Sequence, residues 1–233
     1  MNIIETKCLC KAYSDESGKV GAVKNIDISI EKGSFVSITG RSGSGKSTLL
    51  KMLGGLLMPT EGTVYIGGRN LYEMSEKELA AYRCNEIGFV FQDYILEETY
   101  TVSQNIEIAL MIAGIPPKGR MKIIDSVLDE VGMIHKKNSR VKCLSGGEKQ
   151  RVCIARAIAN NPQIILADEP CGSLDYKNGR VIMELFRKLR DAGKTVILVT
   201  HILEDANMTD RIITLKDGCI IKNEDIRYSQ TGI

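Results

Sequence analysis

Residues 40–48 read Gly-Arg-Ser-Gly-Ser-Gly-Lys-Ser-Thr, and they decide the fold of this 233-residue chain. Four variable residues separate two glycines, and Lys46-Ser47 follow directly, which is the phosphate-loop pattern. That pattern has its meaning only between a strand and a helix. The apolar segment 34–39 predicts a buried strand, and residues 47–53 predict the helix. We therefore expect a strand–loop–helix unit that grips a nucleoside triphosphate.

The chemistry of such a loop assigns a role to each residue type. Glycines let the backbone wrap around phosphate oxygens, and the positive end of the helix dipole adds to the attraction. Lys46 is expected to reach the β and γ phosphates, and the Ser47 hydroxyl to hold Mg²⁺. An isolated match also fits a turn that only caps a helix, an alternative against which the downstream motifs weigh. The predicted nucleotide-binding residues here are Gly40, Arg41, Ser42, Gly43, Ser44, Gly45, Lys46, Ser47 and Thr48.

A second motif, Ile-Ile-Leu-Ala-Asp-Glu-Pro at residues 164–170, ends an apolar run with two carboxylates. An uninterrupted apolar run is typical of a strand buried on both faces of a parallel sheet. Asp168 is then expected at the carboxyl end of the strand, where it binds Mg²⁺, and Glu169 is expected to orient a water for attack on the γ-phosphate. Without a phosphate loop upstream, a solvated acidic turn would explain the same residues.

The third motif is Leu-Ser-Gly-Gly-Glu-Lys-Gln-Arg at residues 144–151, which opens a helical pattern. Locally, Ser145 before two glycines is also a common helix cap. These residues match the signature sequence of the ATP-binding-cassette (ABC) family position by position, and here the chain resembles that family. The resemblance implies that Ser145, with the amides of Gly146 and Gly147, meets the γ-phosphate of ATP held by another subunit. One chain would thus supply half of each site.

Four further positions match the family pattern. The resemblance implies that Gln92 touches the metal and reports nucleotide state, that Ser173-Leu174-Asp175 cross the dimer interface, and that His201 orients Glu169. It also implies that Tyr13 stacks on adenine. Each has a local alternative: a loop amide for Gln92, a helix cap for Asp175, a strand-end residue for His201 and a surface aromatic for Tyr13.

The resemblance extends from Ile3 to about Asn223. Segments 53–62 and 88–106 are most similar to the macrolide-exporter, lipoprotein-release and bacitracin-type peptide-exporter group, and the division-associated ATPase of bacteria is also similar. Two departures stand out. Cys171 replaces the usual Thr, and Tyr-Ile-Leu-Glu-Glu at 94–98 replaces the usual Asn-Leu-Leu-Pro.

We expect an α/β phosphate-loop ATPase fold, formed by a single ABC ATPase domain over residues 1–233. A partly antiparallel β region is predicted from strands near Cys8, 26–30, 35–39 and 63–66. A helical subdomain at about 92–143 is expected to be inserted in the RecA-like core, with an apolar helical stripe around Val127. After it, strands near Ile165, Ile197 and Ile213 alternate with helices near Ala155 and Leu185, and Lys216-Asp217-Gly218-Cys219 predicts a hairpin turn.

The composition of the chain limits the kinds of partner and the cellular location that we expect. The formal net charge of +2 gives no electrostatic case for nucleic-acid binding, so no nucleic-acid partner is expected. The seven cysteines form no CxxC pair, which favours reduced thiols in a cytosol. The apolar segment 106–115 is too short to cross a bilayer. Reduced thiols favour a cytoplasmic location, and the family resemblance implies that the chain is peripheral on the inner face of the cell membrane through a permease partner.

These observations together predict the ATPase subunit of a bacterial ABC transporter, with ATP and Mg²⁺ as its ligands. It would form a homodimer over two Mg·ATP molecules and drive a separate transmembrane permease, in export or mechanical transmission of a peptide, an antibiotic or a lipoprotein. A division-associated regulatory ATPase and a soluble, non-transport ABC ATPase are the alternatives.

The apolar loop Tyr94-Ile95-Leu96 leaves two roles open. It either receives a coupling helix from the permease, as the resemblance implies, or packs inside the helical subdomain.

Overall fold

The computed structural model describes residues 1–15 and 18–226. The strands are β1 (Asn2–Asp15), β2 (Gly18–Ile26), β3 (Ser29–Glu31), β4 (Phe35–Thr39), β5 (Glu61–Ile66), β6 (Arg69–Asn70), β7 (Ile87–Val90), β8 (Ile164–Asp168), β9 (Thr195–Val199), β10 (Arg211–Lys216) and β11 (Cys219–Asp225). The helices are α1 (Lys46–Leu53), α2 (Glu76–Asn85), α3 (Val102–Ile112), α4 (Pro117–Glu130), α5 (Gly146–Ile158), α6 (Tyr176–Asp191) and α7 (Leu203–Ala206).

A six-stranded sheet in the order β11-β10-β4-β9-β8-β7 forms the centre of the molecule. Its strands run parallel except β11, which pairs antiparallel with β10. Every residue of β4 and β9 is buried, as expected of strands covered on both faces. The predicted strands near Phe35, Ile165, Ile197 and Ile213 are confirmed, and so are the helices near Ala155 and Leu185.

The two faces of this sheet belong to two apolar cores, because side chains alternate along each strand. Val196 and Leu198 of β9 pack into one core with residues of α3, α4, α5 and α6. Ile197 and Val199 pack into the other, with α1 and the strands of the second sheet. Helices on one face and a helix plus a sheet on the other hold the carboxyl ends of the parallel strands in place.

The second sheet has five strands and is antiparallel, in the order β2-β1-β5-β6 with β3 also paired to β1. The single strand predicted at 26–30 is wrong, because β2 ends at Ile26 and β3 begins at Ser29. The break occurs where the chain changes partners along β1, from Leu9 opposite Ile26 to Glu5 opposite Ser29. The Thr6 hydroxyl spans the break by donating to the Ile26 carbonyl and accepting from the Ile28 amide.

The segment between β7 and α5 is mainly helical. Thr101 and Gln104 form a capping box at the start of α3, and α4 opens with Pro117 at its first position. Ile124, Val127 and Leu128 are the buried side of α4, which confirms the predicted apolar stripe. The division into a core and an inserted subdomain at about 92–143 stays a prediction.

The last hairpin closes behind the phosphate loop. Asp217 and Gly218 have φ values of 50° and 84°, as a tight two-residue turn requires, which confirms the predicted hairpin. The Gly218 amide donates to the Ser44 carbonyl (3.2 Å), and its carbonyl accepts from the Lys24 amide (2.8 Å). Segments from both ends of the sequence therefore support residues 40–48.

No helix within residues 1–15 and 18–226 combines the length and apolar character that crossing a membrane demands.

Candidate active site

The phosphate loop joins β4 to α1, as the sequence predicts, and its three glycines all have positive φ. The φ values are 146° at Gly40, 78° at Gly43 and 99° at Gly45. A Cβ on Gly40 would lie 2.3 Å from the Leu215 carbonyl oxygen, and one on Gly45 would lie 2.1 Å from the Ala22 carbonyl oxygen. Glycine is thus required at positions 40 and 45 for two reasons: the backbone has a positive φ, and a Cβ would clash with a carbonyl oxygen. Gly43 faces open space and is required by conformation alone.

The loop leaves the amino-terminal end of α1 free to bind an anion. Gly45 is the N-cap residue and makes no side-chain cap, and within residues 1–15 and 18–226 no side-chain hydrogen bond to the first amides of the helix is present. The Ser44 hydroxyl is buried and has no hydrogen-bond partner within residues 1–15 and 18–226. Buried hydroxyls are normally satisfied, and a phosphate oxygen would satisfy this one. Free amides and an unsatisfied hydroxyl therefore make the loop fit a phosphate group.

Lys46 lies inside the loop with its side chain largely buried. Its Nζ donates to the carbonyl oxygens of Gly40 and Arg41, both at 3.0 Å. An ammonium has three donors, so one remains for a phosphate oxygen. The loop thus holds its own cation in the position that a polyphosphate would need. Arg41 and Ser42 are exposed, whereas Thr48 is half-buried at the start of α1.

Ser47 joins the phosphate loop to the second motif, because its hydroxyl donates to Asp168 Oδ1 at 2.9 Å. Asp168 ends β8 and is partly buried. Burial raises the pKa of this carboxyl above its ordinary value, Glu169 next to it acts in the same direction, and the Ser47 hydrogen bond opposes the rise. A carboxylate and a hydroxyl at this spacing suit a hard divalent cation.

The oxygen donors fit Mg²⁺ in particular. Magnesium is usually held by one or two carboxylates together with substrate phosphates and water. Within residues 1–15 and 18–226, no cluster of three or more His, Cys, Asp or Glu side chains could hold a metal ion. Ser47 and Asp168 are therefore suited to a cation whose remaining ligands come from the nucleotide and water.

Glu169 lies beside His201, at the carboxyl ends of the neighbouring strands β8 and β9. His201 Nδ1 is 3.1 Å from Glu169 Oε2, with the Glu169 side chain mostly buried and the histidine half-exposed. Glu169 has φ of 46°, an unfavourable value for a side chain with a Cβ, and its amide donates to the Val199 carbonyl (2.9 Å). The backbone thus fixes a carboxylate where water and a histidine both reach it.

Gln92 follows β7 after one residue and is exposed. Because β7 and β8 are parallel neighbours, with Val90 opposite Ala167, Gln92 leaves the sheet at the same edge as Asp168. Phe91 before it stacks on Phe89, with ring centroids 5.3 Å apart. The glutamine therefore starts its loop from a rigid base.

The signature residues lie at the start of α5, on a different element from the phosphate loop. Ser145 caps α5 and forms a reciprocal capping box with Glu148, which supports the local explanation for this serine. Ser145 is exposed, Gly146 is half-buried and Gly147 is buried. A Cβ on Gly146 would lie 2.9 Å from the Tyr94 hydroxyl, and one on Gly147 would lie 2.6 Å from Asn178 Oδ1. Within residues 1–15 and 18–226, these three residues form no hydrogen bond with residues 40–48.

Two predicted residues lie farther from the carboxylates. Asp175 caps α6 by accepting from the Asn178 amide (2.9 Å), so its local explanation holds as well. Tyr13 lies in β1, is 46% exposed, and has the Lys11 ammonium 5.6 Å from its ring centroid. The β1–β2 hairpin that carries Tyr13 also brings Ala22 against Gly45. The ring is thus on the element that borders the phosphate loop.

Sequence reasoning missed the groups that support the loop from behind. The Ala22 and Leu215 carbonyls set how closely the glycines must approach, and Gly218 bonds to the Ser44 carbonyl. These are backbone groups from distant segments, and no linear pattern identifies them.

Comparison with known proteins places this site in a family. Residues 23–172 match the family described as "ABC transporter". An uncharacterized ABC transporter ATP-binding protein of Thermotoga maritima is 43% identical, over 98% of this chain and 99% of its own length. The macrolide export ATP-binding/permease protein MacB of Aggregatibacter actinomycetemcomitans is 40% identical over the whole chain, which spans 36% of the length of MacB.

Solved structures agree with the sequence relatives. The ATP-binding cassette MJ0796, in a dimeric post-hydrolysis state bound to ADP and Pi, is 41% identical and superimposes with a TM-score of 0.89. The match covers 96% of this chain and 99% of that one. Because the phosphate loop, the paired carboxylates and the relatives all point the same way, the chain belongs to the ABC transporter family and is one of its ATPases.

Proposed function

We propose that this chain is the ATP-hydrolysing subunit of a bacterial ABC transporter, working as a head-to-tail homodimer that closes over two Mg·ATP molecules and drives a separate permease. One observation carries the proposal: the Ser47–Asp168 hydrogen bond ties the phosphate loop to the strand that leads to the Glu169–His201 pair, whereas within residues 1–15 and 18–226 the signature residues form no hydrogen bond with residues 40–48. In this proposal the chain holds both parts of a nucleotide site, and the two parts meet between two copies.

The residues of one half-site divide the work. Lys46 binds the phosphates, and Ser47, Gln92 and Asp168 are suited to surround Mg²⁺, which supplies charge neutralisation of the phosphate oxygens when bound. The other seven residues of the phosphate loop contribute amides and hydroxyls. Phosphoryl transfer depends mainly on positioning and electrostatics, so few groups need to act chemically.

Glu169 is the base or the water-orienting group in this scheme. Its carboxylate lies against His201, which holds it in place and is positioned to hydrogen-bond the γ-phosphate. The left-handed backbone at Glu169 keeps the carboxylate at the edge of the sheet, next to the end of β8. Tyr13, on the hairpin that borders the loop, is assigned to stack on adenine.

The second half-site comes from another copy of the chain. Exposed Ser145 and the amides of Gly146 and Gly147 stand at the start of α5, where a helix favours an anion. Ser173-Leu174-Asp175 precede α6 on the same side, since Leu174 lies near Gly146. The dimeric state of MJ0796 supports this arrangement.

The permease is proposed to dock beside the glutamine loop. Tyr94 and Leu96 pack against the core, whereas Ile95 is 61% exposed and is held at φ of 46°. The two roles left open for this loop therefore divide between its residues. A groove of about 410 Å³ next to Ile95, bordered also by Val141 and Ser173, is the proposed seat of a coupling helix. Through that contact the ATPase would lie on the inner face of the membrane.

Glu169→Gln tests the catalytic assignment. We expect ATP turnover to fall by roughly 10²-fold or more while ATP binding persists, because the amide keeps the shape of the side chain and loses its basicity. Turnover is measured as phosphate release, and binding with a fluorescent ATP analogue. Glu184→Gln, on the exposed face of α6, is the matched control and keeps full turnover. Near-normal hydrolysis by Glu169→Gln would refute the assignment.

Affinity capture tests the partner. The Glu169→Gln protein is loaded with ATP, used as bait in detergent-solubilised native membranes, and its companions are identified by mass spectrometry. Recovery of a permease with a large extracytoplasmic domain supports export or mechanical transmission of a peptide, an antibiotic or a lipoprotein. Recovery of only soluble division, ribosomal or DNA-associated proteins overturns the transporter proposal and leaves the ATPase intact.

Ile95→Glu tests the docking surface. A charge on this exposed residue is expected to reduce capture of the permease by at least about tenfold, because desolvating a carboxylate in an apolar contact is unfavourable. ATP turnover of the isolated protein stays within about twofold of the parent, since surface changes seldom disturb a fold. Ile112→Glu, at the 74% exposed end of α3, is the control. Equal capture by both variants would place docking elsewhere.

A further inference from the structure

Tyr94 belongs to the glutamine loop, and its side chain lies next to the signature loop. It comes two residues after Gln92 in the sequence, and its ring packs against the core next to α5. The position of a Cβ on Gly146 is 2.9 Å from the Tyr94 hydroxyl oxygen and 3.5 Å from a Leu174 methyl. The space beside the first signature glycine, where a Cβ would stand, is thus taken by a side chain of the glutamine loop.

The backbone at Tyr94 is fastened to the signature helix. The Cys153 thiol donates to the Tyr94 carbonyl (2.9 Å), and one Arg156 nitrogen donates to the same oxygen (3.3 Å). A second Arg156 nitrogen donates to the Ile95 carbonyl (2.6 Å). Cys153 and Arg156 are one turn apart on α5, so they grip adjacent carbonyls from one face of the helix. Any movement of the loop at Tyr94 is therefore shared with α5.

We propose that Tyr94 is a positioning residue that couples the glutamine loop of one subunit to the signature loop which that same subunit presents to its partner. The inference rests on the proposed composite site. Tyr94 touches no nucleotide in this scheme; it sets where Gly146 stands, and through Gly146 the amides offered across the dimer. A change at Gln92 would thereby reach the ATP bound by the other subunit.

A tyrosine suits this task better than a smaller residue. Its ring has only two rotatable bonds, so the position of its backbone determines closely where the hydroxyl lies. Burial raises the pKa of Tyr94 above its ordinary value, so the hydroxyl stays neutral and adds no charge beside the signature. Because Gly146 has no side chain, the hydroxyl approaches its backbone closely, and the contact acts by shape.

Mixed dimers test whether Tyr94 acts across the interface. A trace of the parent protein is mixed with an excess of Glu169→Gln protein, so that nearly all hydrolysis occurs in sites that take their signature from the Glu169→Gln copy. Tyr94→Ala is then placed on either copy, and phosphate release is measured. On the signature donor, Tyr94→Ala is expected to lower turnover by between about 10- and 100-fold, the scale of a misplaced catalytic group.

Two results of the mixed-dimer experiment would overturn the role proposed for Tyr94. If Tyr94→Ala lowers turnover only when the hydrolysing copy carries it, Tyr94 serves its own Gln92 and not the signature. If it lowers turnover from neither copy, it has no positioning role. Thermal unfolding of Tyr94→Ala alone checks that the variant is folded, and Tyr94→Phe on the donor, which keeps the ring, gives a smaller loss in the same direction.

A control separates this inference from the proposed function. Ser145→Arg on the donor copy puts a bulky charge at the exposed signature serine, and the composite site requires that it abolish hydrolysis by the trace protein. If hydrolysis persists, the composite site is wrong, and the role of Tyr94 is overturned with it. If hydrolysis stops while Tyr94→Ala on the donor has no effect, only the role of Tyr94 is overturned.

A rescue experiment tests the contact itself. Gly146→Ala on the donor is expected to lower turnover, since its methyl group would stand 2.9 Å from the Tyr94 hydroxyl. Tyr94→Phe removes that oxygen, so the double variant Tyr94→Phe/Gly146→Ala should recover at least about threefold over Gly146→Ala, as contacting residues couple in double-mutant cycles. Independent, multiplicative losses would contradict the contact.

Discussion

Two helices of this molecule begin at glycine-rich loops proposed to meet phosphate, and they begin in opposite ways. Helix α1 starts at Gly45, in a left-handed conformation, and this N-cap residue makes no side-chain cap. Helix α5 starts at Ser145, in an extended conformation, with a complete capping box supplied by Glu148. Helix α1 thus has no side-chain cap. In α5, the Ser145 hydroxyl accepts a hydrogen bond from the Glu148 amide.

The difference shows that glycine serves two purposes at one kind of site. In the phosphate loop, Gly40, Gly43 and Gly45 provide backbone angles that a side chain opposes. In the signature, Gly146 and Gly147 keep negative φ and provide room for Tyr94 and Asn178. The phosphate loop takes its shape from its own backbone angles, so a single chain is enough to form it. The position of the signature loop depends on the side chains packed against its glycines, so a movement of those side chains can shift the loop.

The largest effect expected from this contrast is that of Gly45→Ala. The new Cβ combines an unfavourable φ with a 2.1 Å approach to the Ala22 carbonyl, so we expect a loss of about 2–4 kcal/mol in the free energy of unfolding, together with loss of ATP binding. Urea denaturation and fluorescent-nucleotide titration measure the two. Gly43→Ala, which faces open space, should lose only about 1–2 kcal/mol. Equal losses would break the distinction.

Ser145→Ala is expected to have an intermediate effect. Loss of a serine N-cap costs about 1 kcal/mol, which lowers Tm by about 2–4 °C in a protein of this size. Ser44→Ala is the matched control at the other loop. Its hydroxyl has no partner within the described ranges 1–15 and 18–226, so removing it should leave Tm unchanged and weaken ATP binding instead. A fall in Tm for Ser44→Ala would contradict the open start of α1.

The smallest effect is the pH dependence of the α5 cap. The Ser145 amide donates to the Glu148 carboxylate (2.8 Å), and this hydrogen bond holds the pKa of Glu148 below its ordinary value of 4.5. A lowered pKa in the folded state means that the stabilisation is present above the ordinary pKa and is lost as pH falls through the lowered one. We therefore expect Glu148→Ala to lower Tm by about 1–2 °C at pH 7, and by less once the pH falls below the lowered pKa of Glu148.

Glu148→Gln separates charge from geometry in that measurement. Its amide oxygen still accepts from Ser145 and does not titrate, so the Tm difference between Glu148→Gln and Glu148→Ala should not change with pH. If the parent protein and Glu148→Ala differ by the same Tm at every pH, the carboxylate has no part in the cap.

The sequence predicts the elements next to the phosphate loop to within one residue, because buried strands and motif-bound helices leave strong local patterns. The β4 strand begins at Phe35 where residue 34 was expected, and α1 at Lys46 where residue 47 was expected. Helix α2 was not predicted, although Ser75 and Glu78 carry a capping-box signal. The strand at 26–30 failed for a different reason, since its break depends on pairing with a segment some twenty residues earlier.

At the site, too, the features that depend on contacts between distant segments are the ones that the sequence does not predict. The motifs name Ser47, Asp168, Glu169 and His201, and parallel strands bring these residues to one edge of the sheet. Motifs do not reveal that Tyr94 rests on Gly146, because the two are 52 positions apart and neither pattern refers to the other.

The hairpin behind the phosphate loop has a consequence for synthesis on the ribosome. Strand β4, which leads into the loop, lies between β9 and β10, and Gly218 bonds to the Ser44 carbonyl. The chain thus makes its phosphate-binding residues before the segments 195–199 and 211–218 that lie next to them. Pairings between distant segments form slowly, and the amino-terminal part of a chain emerges first. The phosphate loop of a nascent chain therefore gains this support only after residues 211–218 have been made and have paired with β4.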